Sequence, residues 1–165
     1  MRTRALFLRQ TCVFLCVLAW FALARADTPP QVAYPAQLDL QHHRGRVVIV
    51  DFWASWCKPC RQSIPWLNEM RNRYGERGLT VIGVNVDAER TDAERFLRDV
   101  PVDFPVLFDP AGKIAREYQL MGMPTSLVFA RDGTLAARHI GFRSRDGAAR
   151  ESDLRKLLFI SSEEK

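Results

Sequence analysis

The chain has 165 residues, with 24 lysines and arginines against 19 acids, three histidines and four cysteines. The formal charge of +5 would suit a nucleic-acid binder, but Arg2, Arg4, Arg9 and Arg25 all precede Asp27 with no acid among them, and without those four the remainder carries +1. That balance excludes a basic footprint for nucleic acid or an anionic membrane, and the length suits one domain with a real core.

Residues 1–26 read as a secretory signal. Three arginines open it, residues 11–24 are apolar apart from Thr11, and Ala24-Arg25-Ala26 puts small residues at the two positions a signal peptidase reads. The apolar run is short against the about 20 residues of a bilayer span. An uncleaved membrane anchor is the alternative, with residues 5–8 lengthening the segment. Cys12 and Cys16 lie inside this segment and leave with it. The expected mature protein starts at Asp27 in the periplasm or another extracytoplasmic space, and its only cysteines are Cys57 and Cys60.

Residues 27–37 contain three prolines and read as an extended lead-in to a domain spanning 38–165. Residues 47–52 (VVIVDF) are a short β-branched run of the kind that forms a buried strand. Residues 57–74 read as a helix with Ile64, Leu67, Met70 and Tyr74 on one face; Pro65 should kink or shift it, and Gly75 and Gly78 should stop it. Residues 79–86 (LTVIGVNV) are the next strand, and residues 91–100 a helix opened by a Thr91-x-x-Glu94 capping box. A strand over 104–108 and a short helix over 114–120 follow. Residues 126–130 and 135–140 flank Arg131-Asp132-Gly133, a hairpin signature, and residues 152–160 form a last helix with Leu154, Leu157 and Leu158 inward. The alternation implies an α/β domain, a mixed sheet covered on both faces.

Between the first strand and the first helix stands DFWASWCKPCRQ, with Cys57 and Cys60 two residues apart. Structural zinc wants four N or S ligands; there is no second cysteine pair, and His42, His43 and His139 show no ligand spacing with the first. A purely structural disulfide here would constrain little of the unfolded chain, since the entropic benefit grows with loop length. In an exported protein a pair this close is free to cycle between dithiol and disulfide. A cysteine at a helix N-terminus meets unpaired N–H groups and the positive end of the helix dipole, both favouring thiolate. Cys57 is therefore expected to attack and Cys60, a turn further in, to resolve the mixed disulfide. Pro59 costs the first turn nothing, because its N–H would have had no partner.

Taken in order, residues 50–60 (VDFWASWCKPC), 81–87 (VIGVNVD), 104–109 (FPVLFD), Gly122-Met123-Pro124-Thr125, Asp132-Gly133 and Gly141 resemble the thioredoxin superfamily. The resemblance is closer to the exported TlpA/ResA/DsbE-like thiol–disulfide oxidoreductases, the redoxin branch, and covers residues 38–160. It implies a thioredoxin fold, a central mixed sheet flanked by helices, with an extra β/α insertion between residues 79 and 100. It implies that Trp56 borders the active site, and that Met123–Pro124 is a cis bond facing the cysteines, the Met123 backbone pairing with an extended substrate. With Lys58 and Pro59 these residues make up the expected substrate site.

Asp51 interrupts an apolar strand, where an unpaired carboxylate is pushed towards its neutral form. The resemblance makes it a buried proton relay beneath Cys60. Two departures bear on that role. Gly83 stands where the family pattern has a lysine partner for this Asp, and Ser63 where many exported relatives have Glu, so proton handling is expected to fall to Asp51 alone.

The expected activity is thiol–disulfide exchange with other exported proteins, without metal or organic cofactor, by a monomer reset by a membrane or soluble thiol donor. Direction is argued from the intervening dipeptide. Pro59 occupies the place of the His found in strongly oxidising relatives, and Lys58 favours thiolate only modestly. A Cys57 pKa of about 7 and a potential below about −200 mV follow, making the protein a reductant of the cytochrome c or oxidase maturation type. Two other classes stay open: a copper(I)-handling protein using the two thiolates, and a thiol peroxidase, although the Pro-Thr-x-x-Cys setting of that chemistry is absent.

Overall fold

The computed structural model describes residues 38–159; the expected signal, the lead-in and residue 160 of the last helix lie outside the described residues. Five strands form one sheet in the order β3-β2-β1-β4-β5. They are β1 (Val47–Trp53), β2 (Leu79–Asn85), β3 (Val106–Phe108), β4 (Thr125–Phe129) and β5 (Leu135–Ile140). β1 and β2 pair in parallel, as do β2 and β3, while β4 lies antiparallel to β1 and β5 antiparallel to β4. The helices are α1 (Cys60–Tyr74), α2 (Arg90–Asp99), α3 (Lys113–Glu117) and α4 (Gly147–Phe159). Within residues 79–108, β2 pairs directly with β1, so the peripheral additions are α2 and the three-residue edge strand β3.

Every residue of β1 is buried, and successive side chains point to opposite faces. Val48, Val50 and Phe52 pack with Ile82, Val84 and Leu127 on the face that α3 covers through Ile114 and Ala115. Val47, Ile49 and Trp53 pack on the other face against α1, α2 and α4 through residues such as Ile64, Leu67, Phe96 and Leu154. Burying one such large apolar side chain contributes roughly 1.5–3 kcal/mol, so these two layers are the main source of stability.

Several boundaries differ from expectation for local reasons. α1 begins at Cys60 rather than Cys57 and runs on through Pro65; Gly78, at φ +99°, ends the short 3₁₀ turn that follows. α2 begins at Arg90, one residue early, so the Thr91 capping box does not form; Glu89 occupies the cap position with no side-chain bond and Glu94 pairs with Arg90 instead. β3 is trimmed to residues 106–108. α4 starts five residues before expected, at Gly147 rather than Ser152. The hairpin forms as expected: Gly133 sits at φ +80°, where a side chain would be strained, and its N–H donates to the Ala130 carbonyl.

Candidate active site

β1 delivers the chain into a loop that carries Cys57 and returns into α1 at Cys60. The two cysteines are joined as a disulfide with their Cα atoms 5.4 Å apart. Both are buried, Cys57 at 4% exposure and Cys60 at 0%. The expectation that Cys57 stands on the helix needs correcting. Pro59 is the N-cap residue, and the N–H groups of Cys60, Arg61 and Gln62 donate to the carbonyls of Cys57, Lys58 and Pro59. The first turn is thus tightened onto itself. It offers Cys57 the helix dipole but few unpaired N–H groups, since these donors are already engaged.

The segment before Cys57 is held by β2. Asp87, just beyond the end of β2, is buried and accepts from the Ser55 backbone N–H at 2.9 Å, the Ser55 hydroxyl at 3.0 Å and the Asn85 side-chain amide at 2.8 Å. Its own N–H donates to the Asn85 side-chain oxygen. A carboxylate accepting from several donors is a strong, directional anchor. Sequence reading quoted this Asn-x-Asp only as part of a resemblance and missed its role in positioning the loop.

An open groove of about 550 Å³ runs beside the disulfide and brings Cys57 together with Trp56, Lys58, Pro59 and Met123, four of the five residues expected to meet a substrate. Trp56 is 67% exposed and is not a core aromatic. Met123–Pro124 is cis, and Met123 shares the groove with Cys57.

Asp51 is wholly buried on the sheet face that also holds the cysteines. Burial pushes its pKa up to about 7, against the lowering effects of a hydrogen bond from Ser126 and the positive charge of Arg150. Ser126 Oγ donates to Asp51 Oδ1 at 2.5 Å, while Oδ2 has no hydrogen-bond partner among the described residues. Gly83 is opposite Asp51 in the β1–β2 register, as the alignment expected. A Cβ there would lie 3.1 Å from Trp53 Nε1 and 3.2 Å from Phe104, so indole and phenyl rings fill the place a lysine stem would need. The cation near Asp51 comes from the other side, from α4. Ser63 is buried and donates to the Cys60 carbonyl at 3.3 Å. Ser126 and Arg150 are the site residues that sequence reasoning did not find.

A profile of the AhpC/TSA family matches residues 26–138. The chain belongs to that family. Within it, the chain is 30% identical over 110 residues to a thiol-disulfide oxidoreductase ResA of Bacillus cereus, covering 67% of this chain and 64% of that protein. It is 32% identical over 118 residues to the thioredoxin-like protein YneN of Bacillus subtilis, covering 70% and 68%. The chain thus spans just under two thirds of the length of the ResA protein. Among solved structures it is similar to a Chlorobium tepidum chain described provisionally as the thiol:disulfide interchange protein DsbE. That match has a TM-score of 0.72 and 45% identity over 78% of this chain and 94% of the other. A thioredoxin structure from Neisseria meningitidis, also provisionally described, matches at 18% identity with a TM-score of 0.64 over 78% of this chain and 84% of that one, a likeness of fold alone. The fold of this AhpC/TSA member is the thioredoxin fold.

Proposed function

We propose that this protein is an exported thiol–disulfide oxidoreductase that reduces disulfides in other exported proteins through Cys57 and Cys60. The observation that carries the reading is the closed Cys57–Cys60 pair at the wall of an open groove, on the same sheet face as a buried carboxyl with a pKa near neutrality. The similarity to ResA and to the DsbE-like chain supports it. Export rests on the character of residues 1–26; among the described residues no helix is long and apolar enough to cross a membrane.

In the reduced protein, the Cys57 thiolate attacks a client disulfide. A Cys57–client S–S bond forms, the client S–S bond breaks, and one client thiolate leaves. Cys60 then loses its proton to ionised Asp51 and attacks Cys57 Sγ, closing the protein disulfide and releasing the second client thiolate. Two electrons pass from the protein dithiol to the client. Asp51 suits the task because a base with a pKa near working pH accepts a proton readily and gives it up again. Trp56, Lys58, Pro59 and Met123, which line the groove, form the client surface with the neighbouring Pro124; the Met123 backbone is the element expected to pair with an extended client segment. A separate thiol donor, membrane-bound or soluble, resets the pair.

Equilibration with a glutathione redox buffer tests the direction. A midpoint below about −200 mV is expected, and one near −120 mV would make the protein an oxidant. A Cys60→Ser variant should accumulate mixed disulfides on Cys57 whose partners name the client. Stoichiometric copper(I) binding without exchange, or peroxide consumption by the pair, would replace the reading.

A further inference from the structure

A line of residues crosses four strands at the level of Asp51. Strand register sets Gly83 of β2 beside Asp51 of β1, Asp51 beside Ser126 of β4, and Ser126 beside His139 of β5. Directly paired residues share a face, so Asp51, Ser126 and His139 form a polar row on the face that also holds Val47, Ile49 and Trp53. The row runs from the buried centre of the sheet to its edge strand, where His139 is half-buried.

Beyond Ser126 lies a small, partly open cavity under α4. About 20 Å³ of it is open to the centre of a water molecule, room for a single water, which needs roughly 10–15 Å³. Ser126, His139, Arg150 and Asp153 border it, Ile49 and Trp66 help close it, and most of its lining is apolar. Arg150 Nη2 donates to the Gly141 carbonyl at 2.6 Å, while its Nη1 is buried with no partner among the described residues. These groups account for the local electrostatics. Asp51 is faced by Ser126 from β4 and by the charge of Arg150 from α4. His139 is held low first by burial and then by Arg150, with Asp153 opposing. A His kept below its ordinary value is neutral at working pH, with one nitrogen to accept a proton and one to donate.

We propose that Ser126, one cavity water and His139 form the proton outlet of Asp51, carrying the proton taken from Cys60 to solvent at the β5 edge. The proposal rests on the exchange reading above and adds the path by which its base is reset. Protonated Asp51 donates to Ser126 Oγ as the Ser126 hydroxyl proton passes to the water. The water gives a proton to one imidazole nitrogen, and the other nitrogen releases one to solvent. No bond other than O–H and N–H changes, and one proton leaves for each one taken up.

The test mixes reduced protein with dithiobis(nitrobenzoate) in weak buffer. The leaving nitrothiobenzoate stays unprotonated at neutral pH, so the second anion released reports disulfide closure by Cys60, and an indicator dye reports the proton. In the unsubstituted protein the two signals should coincide. In Ser126→Ala and in His139→Gln the dye signal should trail the second anion by about tenfold or more, and added imidazole should restore coincidence in His139→Gln. Coincident signals in His139→Gln overturn the route, as does a lag that imidazole leaves untouched, which marks a merely structural effect. His139→Gln, at the sheet edge, keeps the test decisive if the buried Ser126→Ala variant fails to fold. If the unsubstituted protein releases no second anion, the exchange reading fails and the outlet with it. If exchange proceeds and only the lag is missing, the outlet alone fails.

Discussion

The two faces of the sheet are built from the same strands to different ends. Beneath α3, the even-numbered residues of β1 (Val48, Val50 and Phe52) pack into an apolar cluster with Ile82, Val84, Leu107, Leu127 and Phe129. On the opposite face the odd-numbered residues of the same strand include Asp51, and neighbouring strands add Ser126 and His139 at the same level. Three buried polar atoms without hydrogen-bond partners among the described residues, Asp51 Oδ2, Trp53 Nε1 and Arg150 Nη1, all belong to residues on this second side or in the helix packed on it. An unpaired buried polar group costs on the order of 1–3 kcal/mol. One face therefore stabilises the fold, while the other gives up part of that stability to hold ionisable groups on the face that also carries the cysteines.

The largest test of this contrast is Phe52→Ala, on the apolar face. It should cost about 3–5 kcal/mol in denaturant unfolding, because the ring is fully buried and the site can collapse little. A cost under about 1 kcal/mol would mean that this face is not the stabilising one.

Next comes the pH dependence of stability. The unfolded chain releases the Asp51 proton near 3.8, whereas the folded protein keeps it to about 7. Folded protein therefore binds more protons between those values, and its stability falls as pH rises through that window, with the loss complete above it. The loss attributable to this group is up to roughly 4 kcal/mol, part of which structural relaxation returns. Asp51→Asn should flatten that slope when unfolding of the oxidised protein is followed from pH 4 to 8, and should slow closure by Cys60. An unchanged slope would separate Asp51 from the polar face's cost.

The smallest effect is expected from Gly83→Ala. The new methyl would press on Trp53 and Phe104 at 3.1 and 3.2 Å, costing about 1–3 kcal/mol by overpacking. A stabilising result would show that the space beside Asp51 was open to a side chain after all.

Much of this was legible in the chain because strand alternation is local. VVIVDF and LTVIGVNV announce buried strands, and their order with the intervening helical patterns gives the layered sheet. The cysteine pair, Trp56 and the Gly-Met-Pro-Thr turn could be placed in one groove because a resemblance supplied the long-range arrangement. Helix starts were less legible. Cys57 precedes α1 because i→i+3 bonds tighten the turn, a choice decided by backbone geometry rather than residue type. Ser126, His139 and Arg150 were illegible for another reason. Ser126 meets Asp51 across 75 residues of chain, and only the register of β1 on β4 sets it on the same face. A one-residue slip would turn every one of these side chains to the other side, and short apolar strands carry no mark of register on their own.

The anchoring of Ser55 by Asp87 divides the redox loop mechanically. All the donors and acceptors in that anchor are nitrogen or oxygen, so none is lost when the Cys57–Cys60 bond opens. The bonds that tether the entry limb, from Trp53 to Ser55, to β2 are therefore independent of the redox state of the sulfurs. In the proposed exchange, Cys57, two residues beyond the tether, meets a client from a fixed post, and little of its positional freedom is left to be lost in the encounter.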